Sequence, residues 1–336
     1  MKIGDLCTYA PKSSIKAGDA IIDGRYMFFT SSSDENKRYS DYQLDCEGII
    51  MGTGGNATLH YYNGKFATST DCVVLLSNET IRCKYLYYFF LSNMDILESG
   101  FKGAGLKHTN KNYINSINIS SVPSFEMQDR VIKVLDKVQS IIDKRQQQLE
   151  KLDELVKSRF VEMFGDCDLT AQKKEWKTVR EVGTVVGGST PKTSVAGYWN
   201  GEYRWLSPAE LEQDSGIIFD SVKKITKAGV ESCSLQELPV GTVILSSRAP
   251  IGKLAIAGNT FYCNQGFKNI VCSERVVPQY LYSLLLFNTE YLNSLGRGAT
   301  FKEISKSIVE NIKIPVPPIE LQEQFAAFVE QTDKSK

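Results

Sequence analysis

The chain repeats itself at the scale of a whole domain. Lys84-Tyr85-Leu86-Tyr87-Tyr88-Phe89-Phe90-Leu91 returns 195 residues later as Gln279-Tyr280-Leu281-Tyr282-Ser283-Leu284-Leu285-Leu286. Gly103-Ala104-Gly105-Leu106-Lys107 returns in the same register as Gly298-Ala299-Thr300-Phe301-Lys302. Val122-Pro123-Ser124-Phe125-Glu126-Met127-Gln128 returns one residue out of step as Val316-Pro317-Pro318-Ile319-Glu320-Leu321-Gln322. Solenoid units run about 20–50 residues, so this is no solenoid. It is a domain followed by a helix, written twice, and two similar domains imply two similar tasks on one partner.

The length of 336 residues accommodates two ordinary domains. The plan that emerges is a first unit over 1–123, a helical spacer over 124–165, a second unit over 166–316, and the start of a second helix over 317–336. In the first unit Gly48–Gly52 and Cys72–Leu76 read as buried strands, and Tyr85–Leu97 as a helix. Ile114, Ile117 and Ile119 suggest a closing strand, so the unit is mixed α and β. The second unit follows the same order: Gly241–Leu245 for Gly48–Gly52, Phe267–Cys272 for the Cys72 strand, Tyr280–Leu292 for the helix. Gly24-Arg25-Tyr26 aligns with Gly201-Glu202-Tyr203, and Pro11-Lys12-Ser13-Ser14 with Pro191-Lys192-Thr193-Ser194.

From Glu126 to Phe164 there is neither Pro nor Gly. Leu135, Ile142, Leu149, Val156 and Met163 recur every seven residues, Val131, Val138 and Leu152 form a second seam, and Val134, Ile141 and Leu155 a third. The pattern is that of a long amphipathic helix with coiled-coil character, ended by Gly165. At about 1.5 Å per residue, roughly 40 residues span on the order of 60 Å. The second copy opens at Ile319 and is only about half as long within this sequence, so it reads as truncated.

Catalytic signatures are missing from the text. There is no G-x-x-x-x-G-K-[ST] loop and no G-x-S-x-G elbow. The two histidines, His60 and His108, lie far from any triad pattern, and the eight cysteines form no C-x-x-C pair. No metal site and no cofactor are expected. Unpaired scattered cysteines fit small core positions in a reducing cytoplasm. No signal peptide and no membrane span are expected. The formal charge of zero argues weakly against a nucleic-acid binder; a basic face can nevertheless be cancelled by acids elsewhere.

The second half carries a recognisable text: Gly187-Gly188-Ser189-Thr190-Pro191-Lys192, Trp205-Leu206-Ser207-Pro208, then Leu238 through Ser246-Ser247-Arg248-Ala249-Pro250-Ile251-Gly252, Cys263-Asn264-Gln265-Gly266-Phe267, and Pro315-Val316-Pro317-Pro318-Ile319-Glu320-Leu321-Gln322. With the duplicated architecture, it resembles a specificity subunit of a type I restriction-modification system. The resemblance implies an α+β fold: two pseudo-symmetric mixed α/β target recognition domains joined by long antiparallel coiled-coil helices. It implies that each domain reads one half of a bipartite, asymmetric site on double-stranded DNA. It implies as partners the modification (methyltransferase) subunits, which bind S-adenosylmethionine and methylate adenine, and the restriction motor-nuclease subunits. The specificity subunit of this family has no active site, and its location is the cytoplasm. The alternatives are a specificity arm of a different DNA methylation system and an orphan DNA-modifying enzyme.

Base edges are read by polar side chains, while Lys, Arg, Ser, Thr and backbone amides hold phosphates. In the first unit the candidates for DNA contact are Lys12, Ser13, Lys16, Lys37, Arg38, Asn56, Thr68, Ser69 and Thr70. In the second they are Thr190, Lys192, Thr193, Arg248, Lys253, Asn264 and Gln265. Arg248, Asn264 and Gln265 read equally well as turn residues, and Gly298-Ala299-Thr300 reads as a turn rather than a contact. Leu135, Val138, Ile141, Ile142 and Leu149 are the candidate partner interface, because the short second helix should cover only the far end of the first.

Overall fold

The computed structural model describes residues 1–103, 105–248, 250–298 and 302–336. The chain divides into two compact units, Met1–Arg145 and Gln146–Lys336. The sequence repeat through Gly103 and Gly298 therefore falls partly outside the described residues, as does Ala249.

Unit 1 begins with helix α1 (Ile3–Leu6) and strand β1 (Cys7–Tyr9), followed by β2 (Tyr26–Phe29), β3 (Arg38–Tyr39), β4 (Leu44–Gly52), β5 (Leu59–Thr68) and β6 (Cys72–Ser77). Helices α2 (Cys83–Leu91), α3 (Met94–Glu98) and α4 (Lys111–Ser116) precede the long helix α5 (Phe125–Phe164). The six strands form one sheet in the order β1-β6-β4-β5-β2-β3. One core gathers Ile49, Leu75, Leu86, Phe90 and Ile114; a second gathers Phe29, Ile50, Phe66 and Val74. Alternate residues of β4 thus feed different cores, as the period of two dictates.

Unit 2 runs β7 (Lys177–Thr178), α6 (Val179–Val182), β8 (Gly183–Gly187), β9 (Trp199–Leu206), β10 (Asp214–Ile218), β11 (Lys223–Ile225), α7 (Lys227–Ser232), β12 (Val243–Leu245), β13 (Leu254–Ala257), β14 (Tyr262–Cys263) and β15 (Lys268–Cys272). It closes with α8 (Pro278–Phe287), α9 (Thr289–Ser294), α10 (Lys306–Asn311), β16 (Lys313–Ile314) and α11 (Ile319–Asp333). Its main sheet has the order β10-β13-β12-β15-β8, beside a three-stranded sheet β11-β9-β14.

The repeat survives in hydrogen-bond register. Phe28 and Phe29 lie opposite Ala67 and Thr68 in parallel strands; Trp205 and Leu206 lie opposite Tyr262 and Cys263, also in parallel. Ser69 N then donates to Phe29 O at 2.9 Å, as Asn264 N donates to Leu206 O at 3.0 Å. Hence β5 corresponds to β13 and β14 together, one strand in unit 1 and two in unit 2. Gly258 sits at the interruption, where a Cβ would stand 2.6 Å from the Phe219 ring.

The expected helix Tyr85–Leu97 is instead two helices, and Tyr280–Leu292 likewise. The break lies at Asn93 in one copy and Asn288 in the other. Asn93 Nδ2 donates to Phe89 O at 2.7 Å and Asn288 Nδ2 to Leu284 O at 2.8 Å. A short amide that captures a backbone carbonyl offers the chain an alternative to the helix ladder. The expected strand at Ile114–Ile119 is also corrected. Asn110 caps α4 by accepting from Tyr113 N, and Ser305 caps α10 by accepting from Ile308 N. Only Ile117–Ile119 are extended: Ile117 O accepts from Ile3 N, and Ile119 N donates to Met1 O.

Helix α5 is continuous over Phe125–Phe164, and Gly165 ends it at φ +75°, donating N–H to Val161 O at 2.8 Å. In the middle of the helix the seam residues Val134, Val138, Ile141 and Ile142 are exposed, and at the C-terminal end the heptad reading misses the focus of the packing. Phe160, on none of the three seams, stacks with Tyr280 at 5.6 Å and meets Phe287 and Phe325 edge-on at 5.3 Å. Val156, Phe160, Phe325 and Val329 share one core, while Leu155 of the third seam points outward. Helix α11 runs opposite to α5, since Phe325 faces Phe160 and Phe164 whereas Lys336, farther on, pairs with Asp153 at 2.8 Å.

Phe160→Ala should therefore cost about 3–5 kcal/mol of unit 2 stability, the usual loss for a large buried aromatic. Leu155→Ala should stay within about 0.5 kcal/mol, as exposed positions do. Urea unfolding of the two variants checks this, and equal losses would contradict the packing described.

Candidate nucleic-acid interface

Three loops of unit 1 that carry sequence-nominated residues converge through the backbone. Thr70 N donates to Ile15 O at 2.8 Å, joining the Lys12–Lys16 loop to the β5–β6 turn. Thr53 N and Thr53 Oγ1 both donate to Asp71 O, at 2.8 and 2.9 Å, adding the β4–β5 turn. A fourth loop, not nominated from sequence, joins where Thr109 N donates to Thr53 O at 3.0 Å. Together they line a cleft of about 230 Å³ that holds Lys12, Thr53, Thr68, Thr70, Thr109, Asn110 and Lys111. Thr109 Oγ1 is buried there without a protein partner.

Within that cluster the nominated residues divide by role. Ser13 is buried, its Oγ accepting from Ile15 N and Gln43 Nε2, both at 3.0 Å. Thr68 and Ser69 are buried too, Ser69 Oγ donating to Asp71 Oδ1. Burial pushes the Asp71 carboxyl upward, but the hydrogen bonds it accepts from Ser69 and its neighbours outweigh this and hold it below the ordinary range. These three shape the loops. Lys12, Lys16, Thr70 and Asn56 are exposed. Lys37 and Arg38 are engaged locally: Lys37 Nζ donates to Thr30 Oγ1 at 2.9 Å, and Arg38 Nη1 to Glu35 O at 2.7 Å.

Unit 2 assembles equivalent loops. Ser189 N donates to Cys263 O at 3.0 Å, and Thr190 Oγ1 to Gln265 Oε1 at 2.6 Å. Ser247 N donates to Gly266 O at 2.7 Å, and Ile304 N to Ser247 O at 2.9 Å. Thr190, Arg248, Asn264 and Gln265 are thus brought to one place. Lys192 and Thr193 are exposed on the adjoining loop. Asn264 serves its own turn, Oδ1 accepting from Gly266 N at 2.8 Å. Lys253 has a structural occupation: its ammonium donates to the carbonyls of Leu211 and Pro208, the latter at 3.2 Å.

The sequence reading passed over Lys268 and Glu303, which are central. Glu303 pairs with Arg248 Nε at 3.1 Å and with Lys268 Nζ at 3.3 Å. Lys268 Nζ also donates to Ser247 Oγ at 3.2 Å and reaches Gln265 O at 3.4 Å. Partial burial pushes the Glu303 carboxyl up, yet hydrogen bonds from Arg248 and Lys268 bring it below its usual value. The signal was present: the fourth loop is the repeated text around Gly103 and Gly298, which is where Lys102–His108 and Arg297–Glu303 make matching backbone bridges. Among the described residues no group of His, Cys, Asp and Glu could hold a metal ion.

Lys253→Met should cost about 1–3 kcal/mol, because carbonyls that accepted from a charged donor lose it. Lys192→Met should leave stability within about 0.5 kcal/mol. Denaturant midpoints of the two variants separate the structural lysine from the exposed one.

Comparison with known proteins gives the family and the fold. Residues 1–154 and 173–336 each match the family described as Type I restriction modification DNA specificity domain. Over 184 residues the chain is 39% identical to the Type I restriction enzyme MjaIX specificity subunit of Methanocaldococcus jannaschii, covering 53% of this chain and 43% of that protein. Over 287 residues it is 23% identical to the Type I restriction enzyme EcoR124I/EcoR124II specificity subunit of Escherichia coli, covering 80% of this chain and 66% of that one. It thus spans less than two thirds of either relative. Its fold is similar to the crystal structure of a Type-I restriction-modification system S subunit from M. genitalium, with a TM-score of 0.67 at 13% identity, over 100% of this chain and 89% of the other. Matched in both halves over nearly its whole length, the chain belongs to the type I restriction-modification DNA specificity family.

Proposed function

We propose that this chain reads a bipartite, asymmetric sequence on double-stranded DNA, one half-site per unit, within a type I restriction-modification complex. The observation that carries the reading is the duplicated loop cluster. Both units gather the same four loops by the same kind of backbone bridge, while the side chains on those loops differ: Thr70 against Gln265, His108 against Glu303. A common frame with different polar side chains is what two readers of different half-sites need. In unit 1 the contacts come from Lys12, Lys16, Asn56 and Thr70, with Lys111 added by the cleft. In unit 2 they come from Thr190, Lys192, Thr193, Arg248 and Gln265.

The chain itself does no chemistry in this reading. Methyl transfer belongs to modification subunits and cleavage to motor-nuclease subunits, in the cytoplasm. No helix among the described residues is long and apolar enough to cross a membrane. Val138, Ile141 and Ile142, at 47%, 57% and 54% exposure, are the apolar residues of α5 offered to a modification subunit, with half-buried Leu135 beside them. Leu149, half-buried in unit 2, is proposed for the same use.

Co-expression with the modification subunit, followed by genome-wide mapping of methylated adenines, tests the function. A split motif is expected; replacing the first unit with another recognition domain should change one half of it and leave the other. A change in both halves would defeat modular reading, and methyl transfer by the isolated chain would defeat the non-catalytic assignment. Binding should weaken linearly in log affinity against log salt, as counterion release requires. Arg248→Ala should cost about 1–3 kcal/mol on the target and relax only the half read by unit 2.

A further inference from the structure

Glu303 uses both of its oxygens on cations, Oε1 on Lys268 and Oε2 on Arg248. The two cations are not alike. The Lys268 side chain is 12% exposed and that of Arg248 48%. Lys268 is the inner, fixed partner, held also by Ser247. Arg248 is the outer one, and Glu303 takes it through Nε at 3.1 Å. The terminal Nη atoms of Arg248 have no partner among the described residues. A guanidinium ion-paired on its Nε side, with no hydrogen bond from its fork among the described residues, can present that fork to a planar pair of acceptors.

The loop does not need a carboxylate in order to fold this way. In unit 1 the equivalent residue is His108, which makes the same two backbone bridges, to Gly54 and Lys102, that Glu303 makes to Arg248 and Arg297. The outer pair with half-exposed Arg248 adds little to stability. The backbone bridges are therefore independent of the carboxylate, which is specific to unit 2 and there also neutralises the nearly buried Lys268.

The geometry points to Glu303 as the positioning residue for Arg248, aiming its fork at the O6 and N7 of a guanine in the half-site read by unit 2. The inference rests on the DNA-reading function proposed above and goes further, naming the base and the residue that secures its choice. Bidentate Arg–guanine pairing is the one major-groove contact that uses both fork nitrogens on a single base. Glu303 has a second effect of the same sign: its charge offsets one cation, which weakens the hold on phosphates of unselected DNA.

Glu303→Gln separates these consequences from folding. An amide offers one acceptor oxygen where the carboxylate offers two. The oxygen stays with the less exposed Lys268, and the neutral NH2 then faces Arg248, so the ion pair is lost. With the full chain and a labelled duplex of random sequence, E303Q should bind several-fold tighter at low salt. Its plot of log affinity against log salt should steepen by about 0.9, one additional phosphate contact. In the complex with modification subunits, methylation mapping should show a guanine at one position of one half-motif in the wild type. E303Q and R248A should relax that same position, and the double variant no more than R248A alone. Weaker or unchanged binding of random DNA by E303Q would overturn the proposal, as would relaxation at different positions or at a base pair without guanine. A misfolded variant would lose affinity rather than gain it. A wild type that neither binds DNA nor directs a motif would instead refute the DNA-reading function, and this inference with it.

Discussion

A buried glutamine at the root of each long helix holds the architecture to its purpose. Gln128 is 1% exposed and Gln322 is fully buried. Gln128 Oε1 accepts from Arg82 N at 2.7 Å, and its Nε2 donates to Pro123 O at 2.8 Å. Gln322 Oε1 accepts from Val277 N at 2.9 Å, and its Nε2 donates to Pro317 O at 2.8 Å and Arg275 O at 3.1 Å. Each amide thus ties the first turn of its long helix to the residue preceding the α2 or α8 helix of its own unit. Only an amide presents an acceptor and a donor at that reach. Leaving either backbone group orphaned inside the protein costs about 1–3 kcal/mol, so rotation of the helix against its domain is penalised in both copies. In unit 1 an outer layer reinforces it: Arg82 pairs with Asp129 at 2.9 Å, and Lys84 and Tyr88 both donate to Asp136. A reading surface is useful only at a fixed attitude to its support, and the clip supplies that within each unit.

The repeat made much of this legible in advance. Its alignment of the halves located β4, β6, β12 and β15, heptad spacing located the long helix, and polar composition nominated three of the four loops that meet in each unit, while the fourth lay in the repeated text itself. What remained hidden depended on neighbours distant in sequence. Asn93 and Asn288 look like tolerable helix residues until their amides are seen to capture Phe89 O and Leu284 O. Phe160 stands outside every heptad seam because the C-terminal end of α5 packs on α8 and α11 with a spacing nearer four than seven, through Val156, Phe160 and Phe164. Lys253 looks like any exposed lysine before the carbonyls of Pro208 and Leu211 are brought to it. Glu303 was invisible as a site residue because its partners lie 55 and 35 positions away, at Arg248 and Lys268.

The two units also differ where a duplicated reader should differ. The frame residues keep their register, Phe28 opposite Ala67 and Trp205 opposite Tyr262. The interruption that turns one strand into β13 and β14 coincides with the additional strand β10, which pairs in parallel with β13. A change at a sheet edge or loop costs little, because the surrounding core is not repacked. A change at buried Phe28 or Trp205 would disturb the packing around it. The frame thus keeps its register even where its residues differ, and the change in strand number falls at a sheet edge.

Charge obeys the same logic. Lysine and arginine together equal aspartate and glutamate at 39 each, which conceals any local basic surface from a composition count. The structure shows where many acids are spent: Asp129 and Asp136 secure α5 to unit 1, Asp220 joins Arg204 and Lys224, and Asp153 and Asp333 take Lys336. Acids used as structural counter-ions neutralise the cations beside them and leave those elsewhere uncompensated, since fields between exposed charges fade within a Debye length of about 8–10 Å. Lys12 and Lys192 on loops, and Lys111 at the start of α4, have no such acid paired with them among the described residues. A neutral total is therefore compatible with phosphate-binding loops, because DNA at contact distance responds to the charges within that length and not to the sum over the chain.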